Sequence, residues 1–90
     1  MDKHIIIKEI ADLAYEGYGD ESYIALHNSL VFSHDSCRYD LMGIGIDEEN
    51  GWVAECIGYH HFSIYYIKLE DLRPVTLNRI KKVLSASITE

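Results

Sequence analysis

The stretch that most constrains this chain runs from Tyr39 to Gly58. Two apolar, β-prone runs, Tyr39 to Ile46 and Trp52 to Gly58, flank the polar loop Asp47-Glu48-Glu49-Asn50-Gly51. Such runs on either side of a turn ending in Asn-Gly fold as an antiparallel hairpin. Pairing Ile46 with Trp52 sets Ile44 opposite Ala54 and Met42 opposite Cys56 on one face. The other face then receives Gly45 with Val53, Gly43 with Glu55 and Leu41 with Ile57. The first face is a core surface and the second is mixed, so the pairing points Cys56 inward.

Helices are expected on both sides of this hairpin. Asp2 can cap a helix that begins at Lys3, in which Ile6, Ile7, Ile10, Leu13 and Ala14 share one arc and Ile5 falls off it. Gly17 and Gly19 supply its stop. Near the end of the chain, Leu77, Ile80, Val83, Leu84 and Ile88 form a second apolar arc, with Thr76 as the expected N-cap and Asn78, Arg79, Lys81 and Lys82 facing water. Ser22 to His34 reads either as one long strand or as two short ones turning at His27-Asn28-Ser29, and Asp35-Ser36 marks a turn. Phe62 to Leu69 is apolar on both parities, which suits a central strand or a strand whose second face a partner covers. The expected fold is α+β: an N-terminal helix, an antiparallel meander of three to five strands and a C-terminal helix, with both helices on one sheet face. Ninety residues support one such domain, spanning residues 1–90.

Charge narrows the choice of partners. Fifteen acidic against eight basic side chains give −7. Residues 1–67 carry three basic and twelve acidic side chains, a net −9, and residues 68–90 carry five and three, a net +2. This balance disfavours direct contact with a nucleic acid backbone or an anionic membrane and favours a basic protein surface. No apolar run approaches the ~20 residues of a membrane helix, and no secretory signal precedes the first helix, so a cytoplasmic location is expected. The element order resembles that of double-stranded RNA-binding domains in order alone. The acidity, and the lack of a glycine- and lysine-rich entry to the last helix, assign the chain to no family.

Chemistry-bearing residues cluster around the second half of the hairpin. His34-x2-Cys37 and Cys56-x3-His60 imitate the spacing of a four-ligand zinc site. Four positions along a straight strand span ~13 Å, so Cys56 and His60 could share a metal only across a tight turn at Gly58. Cys56 is expected in the core and Cys37 in a turn, both as reduced thiols. No nucleophile elbow, phosphate loop or zinc-protease pattern is present. The sequence therefore points to no catalytic residue, no metal and no cofactor.

Seven tyrosines and one tryptophan remain, a composition favoured at interfaces. Tyr15, Tyr18, Tyr23, Tyr39, Tyr59 and Tyr65 are candidates for the sheet face that the helices leave open. The expected function is a non-enzymatic protein-interaction module whose binding residues include Tyr39, Asp47, Glu48, Glu49, Tyr59 and Tyr65. Its concrete form is an acidic inhibitor occupying the basic, nucleic-acid-binding surface of a target. The competing readings are a metal- or thiol-dependent protein built on His34, Cys37, Cys56 and His60, and a structural homodimer.

Overall fold

The computed structural model describes residues 2–19, 22–26, 29–60 and 62–89. The turn expected at His27-Asn28-Ser29 and the position of His61 lie outside the described residues, as do the side chains of Ile88 and Thr89.

Helix α1 spans Lys3–Tyr18. Asp2 accepts a hydrogen bond from the His4 amide at 2.9 Å, satisfying one of the amides that a helix start leaves without a partner. At the other end Gly19 takes φ of 67°, which only glycine adopts freely, and returns its N–H to the Tyr15 carbonyl. Gly17 stays inside the helix. Ile6, Ile10 and Ala14 are buried and Ile5 is exposed, as the arc requires.

Helix α2 spans Pro74–Thr89. It begins two residues before the expected Thr76 cap, because proline is preorganised for the first helical position and has no N–H to leave unpaired. Thr76 lies in the first turn and is buried. Leu77, Ile80 and Leu84 point into the core. The helices pack on one another, with Lys81 paired to Glu9. Lys3 Nζ also donates to the Glu70 carbonyl at 2.6 Å, tying α1 to the 3-10 turn Leu69–Asp71 that precedes α2.

Among the described residues five strands form the sheet: β1 Tyr23–Ala25, β2 Val31–His34, β3 Cys37–Asp47, β4 Gly51–Gly58 and β5 Ile64–Lys68. The order is β1-β3-β4-β5, and β2 pairs with β3 beyond β1, every pairing antiparallel. Strands β1 and β2 run in one direction along one side of β3, so residues 22–34 are neither an unbroken strand nor a hairpin. Leu26 N–H bonds Met42 O and Leu41 N–H bonds Leu30 O, extending the contacts of β1 and β2 with β3. The turn joining β2 to β3 has positive φ at both Asp35 (49°) and Ser36 (67°), the geometry whose twist matches a two-residue hairpin.

The hairpin of β3 and β4 follows the expected register from Asp47↔Gly51 to Gly43↔Glu55 and then slips by one. A bulge between Leu41 and Gly43 places Leu41, not Met42, opposite Cys56, and Asp40, not Leu41, opposite Ile57. Both Leu41 and Met42 are apolar, so alternation alone could not locate the slip; burying Leu41 against the helices decides it.

Both helices cover the same face. Their buried side chains join Ile24, Leu41, Ile44, Ala54 and Cys56 in one cluster. The opposite face carries Tyr23, Gly43, Gly45, Val53, Glu55, Ile57, Ile64 and Tyr66, and no described element packs over it. No helix among the described residues is long and apolar enough to cross a membrane.

Candidate functional site

The open face is organised by two glycines. A Cβ on Gly43 would come within 2.4 Å of the Tyr23 hydroxyl and 2.5 Å of the Ile24 carbonyl oxygen, so only glycine lets β1 and its tyrosine lie this close to β3. Gly45 similarly sits under the Tyr23 ring, with Cδ1 3.4 Å from where its Cβ would be. Across this floor Tyr23 Oη donates to Glu55 Oε1 at 2.8 Å, a link between β1 and β4 that spans β3.

On the far side of Glu55 stands Tyr66, its partner in the β4–β5 register. Burial first, then the hydrogen bond to Glu55 and its charge, push the Tyr23 hydroxyl up to about 12. The Tyr66 hydroxyl is raised as well, chiefly by a hydrogen bond to the same carboxylate. One carboxylate thus accepts from Tyr23 and keeps both phenols neutral, so that they remain donors at any physiological pH. The arrangement is a polar bridge among the apolar side chains of Val53, Ile57 and Ile64, with Asp40 and Lys68 on the same face.

Strand β5 is the sheet's outermost strand on this side. Gly58 N–H bonds Ser63 O, which fixes the alternation: Tyr65 and Ile67 bond toward β4, while Ile64, Tyr66 and Lys68 turn their peptide groups to the open side. The side chains there are exposed and apolar: Phe62 at 81%, Ile64 at 56% and Tyr66 at 66% of full exposure. Phe62 holds a positive φ of 57° in the turn before β5, and Lys68 is the sole charge in the strand. Proteins ordinarily protect such an edge with charges, prolines or bulges, and β5 has only that terminal lysine. It is an edge strand, so the reading of Phe62 to Leu69 as a central strand does not hold.

The structure divides the residues expected to bind a partner into two groups. Tyr39, Tyr59 and Tyr65 meet at one end of the sheet, where with Cys37, Arg38 and His60 they line a hollow of about 300 Å³. Tyr39 stacks on Phe32 and meets Tyr65 edge-on at 5.4 Å, on the helix-covered face. The Arg38 guanidinium lies over the Tyr59 ring, 5.9 Å from its centroid. Asp47, Glu48 and Glu49 lie at the other end of β3 and border a shallow depression with Tyr23 and Tyr66. Eight strand positions, ~26 Å, separate Tyr39 from Asp47. Asp47 accepts the Glu49 amide at 2.8 Å, and that bond holds its carboxyl below the usual carboxylate range.

Of the six tyrosines expected on the open face, only Tyr23 lies there. Tyr15 meets Trp52 edge-on from α1, Tyr18 packs against the core, Tyr39 and Tyr65 share the helix side, and Tyr59 is in the β4–β5 turn. Tyr66 and Glu55 were not among the expected residues. A signal for them was available: a lone carboxylate opposite Gly43, with Gly45 two positions along, marks a place where a neighbouring ring must lie.

The four residues of the metal reading do not gather. The chain does turn at Gly58, where Phe62 N–H bonds Gly58 O, and His60 lies in that turn. Cys56, however, is fully buried on the helix side, with Sγ 3.6 Å from the Ala54 carbonyl, and burial pushes its thiol up to about 12. Cys37 is exposed and His34 pairs with Asp35 at 3.3 Å. Among the described residues no group of three or more His, Cys, Asp or Glu is placed to hold a metal ion. Comparison with known proteins adds no analogy: no family model, no curated protein and no solved structure matches this chain.

Proposed function

We propose that this chain is a non-enzymatic protein-interaction module that receives an extended, basic segment of a partner along β5 and over the open sheet face. The observation that carries the reading is the unprotected edge, where outward peptide groups at Ile64 and Tyr66 coincide with exposed apolar side chains. A strand added there gains main-chain hydrogen bonds along its length, and its alternate side chains reach the Tyr66–Glu55–Tyr23 surface. Charge supports the choice of partner. The chain is −7 overall, and the loop bearing Asp47, Glu48 and Glu49 borders the same face. A basic partner would be drawn to it over distance, at a rate that falls with salt.

In its most specific form the module is an inhibitor. Its carboxylates imitate the charge of a phosphate backbone and occupy the basic, nucleic-acid-binding surface of a target. The test is a pull-down from the native host, followed by affinity measurements on the captured protein. Ile64→Lys should abolish binding, and reversing charge at Asp47, Glu48 and Glu49 should weaken it and flatten its salt dependence. Binding that ignores both changes sinks the proposal.

A further inference from the structure

The chain contains three arginines, and all three line one cleft. Arg38 comes from β3, Arg73 immediately precedes α2, and Arg79 stands in the second turn of α2. Between them are the hydroxyl residues Ser33 and Thr76, and the enclosed volume is about 220 Å³. The cleft lies beside β2, at the edge of the sheet opposite β5, and is separate from the surface proposed to bind a partner.

In a chain with nearly twice as many carboxylates as cations, a guanidinium is expected to find a carboxylate. These do not. Among the described residues the ion pairs use Lys8, Lys81 and His34, and none of the three arginines forms one. Asp35 and Asp71 share an adjoining cavity with Arg73, yet neither pairs with it. Like charges that line one cleft and form no ion pair among the described residues repel one another, and an anion in the cleft would relieve that repulsion.

Two further features face the same way. Leu77 N–H makes the first bond of α2, to the Arg73 carbonyl, so the Val75 and Thr76 amides precede it at the positive end of the helix. Thr76 is 2% exposed and lines the cleft, and its hydroxyl makes no hydrogen bond to a described residue. A hydroxyl held in so restricted a place gains from a partner, and an oxyanion in the cleft would accept from it.

We infer that this cleft binds a phosphate dianion, free or as a monoester. Guanidinium forks match phosphate oxygens two at a time, and the forks of Arg73 and Arg79 beside a helix N-terminus suit a doubly charged group, while Arg38, whose guanidinium lies over Tyr59, borders the cleft from the strand side. The volume is below that of ordinary ligand pockets, so the anionic group fills it and whatever it is esterified to extends into solvent.

The probe is inorganic phosphate, titrated into the full chain at constant ionic strength and followed by amide resonances. Saturable shifts are expected at Ser33, Val75 and Thr76. The double variant Arg73→Gln/Arg79→Gln should lose at least tenfold in affinity, and Arg38→Gln, which removes a charge from the strand side of the cleft, should weaken binding by less. All three arginines are exposed, so a dispersed amide spectrum should show that the variants remain folded. Methyl phosphate separates the two sources: tighter binding than phosphate identifies an ester, weaker binding the free ion. Dimethyl phosphate has a single charge. If it binds as tightly, the monoester assignment is overturned, and the cleft reads a phosphodiester instead. Unchanged affinity in both arginine variants, or shifts absent from the cleft amides, overturns the site altogether.

Discussion

The two edges of the sheet are built to opposite rules. On one side, β1 and β2 lie along β3 as two short segments, one ending at Ala25 and the next beginning at Val31. Their inward residues Ile24 and Phe32 are buried, and the arginine cleft and α2 adjoin β2. On the other side, β5 is a single straight segment of five residues, largely exposed, with one charge at its end. A broken, flanked edge cannot accept another strand along its length, whereas a straight apolar one can. The contrast assigns structural duty to the first edge and contact with other chains to the second.

A matched pair of substitutions tests that division most severely. Ile24 is 2% exposed and Ile64 is 56% exposed, yet both are isoleucines in strands paired antiparallel to the hairpin. Ile24→Ala should cost about 2–5 kcal/mol in a denaturant melt, the range for emptying a buried aliphatic site. Ile64→Ala should change stability by less than about 0.5 kcal/mol, as exposed positions do. Equal losses at the two sites would show that β5 is structural too.

The second effect in size concerns the approach of β1 to β3. Gly43→Ala puts a methyl 2.5 Å from the Ile24 carbonyl oxygen, which is backbone and cannot swing aside, and 2.4 Å from the Tyr23 hydroxyl. The strand must shift, at a cost of about 1–3 kcal/mol. Tyr23 should lose its bond to Glu55 in the process. Amide exchange would show the damage as faster opening of β1 with β5 unaffected; uniform loosening of both edges would contradict the picture of β1 resting on the glycine floor.

The difference between the edges also marks how far the sequence was legible. Both helices and the long hairpin declared themselves, since 3.6-residue periodicity and a polar loop ending in Asn-Gly are local signals. The register could be read as far as Gly43↔Glu55. Beyond it, Leu41 and Met42 are equally apolar, and only packing against the helices chooses between them. Similarly, alternation parts Tyr65 from Tyr66, but which of them shares the helix side with Tyr39 depends on strand register and helix placement. The arginine cleft was beyond reach for a simpler reason. Arg38, Arg73 and Arg79 come from β3 and from α2 with its lead-in, and nothing in either stretch announces that the fold joins them. The partner residues Asp47, Glu48 and Glu49 and the trio Tyr39, Tyr59 and Tyr65 proved to lie at opposite ends of one strand, a separation that is inevitable once β3 is seen to be eleven residues long.

A smaller effect belongs to the Tyr23–Glu55 bridge. Tyr23→Phe removes one partly exposed hydrogen bond and should cost about 1 kcal/mol at neutral pH. Its alkaline behaviour is more telling. An unfolded tyrosine ionises near 10, whereas Tyr23 in the fold keeps its proton to about 12. Between those values the native state binds more protons than the unfolded one, so stability must fall as pH rises. Cys56, raised from 9.0 to about 12, starts the same decline earlier. Stability measured from pH 8 to 12 should therefore drop throughout the upper range, and less steeply between 10 and 12 in Tyr23→Phe. An unchanged slope would mean that the hydroxyl is not held by Glu55.

The smallest effect on stability should accompany the largest on binding. Tyr66→Lys places a charge on β5 beside Lys68, at a side chain already 66% exposed, so melting should move by no more than about 0.5 kcal/mol. The same lysine restores the protection that natural edges carry and presents a cation to a basic partner. The bond from Tyr23 to Glu55 stays in place. A variant that melts with the parent yet no longer captures the partner separates the two edges cleanly. Should Tyr66→Lys bind unchanged, β5 is not the docking edge, whatever its exposure.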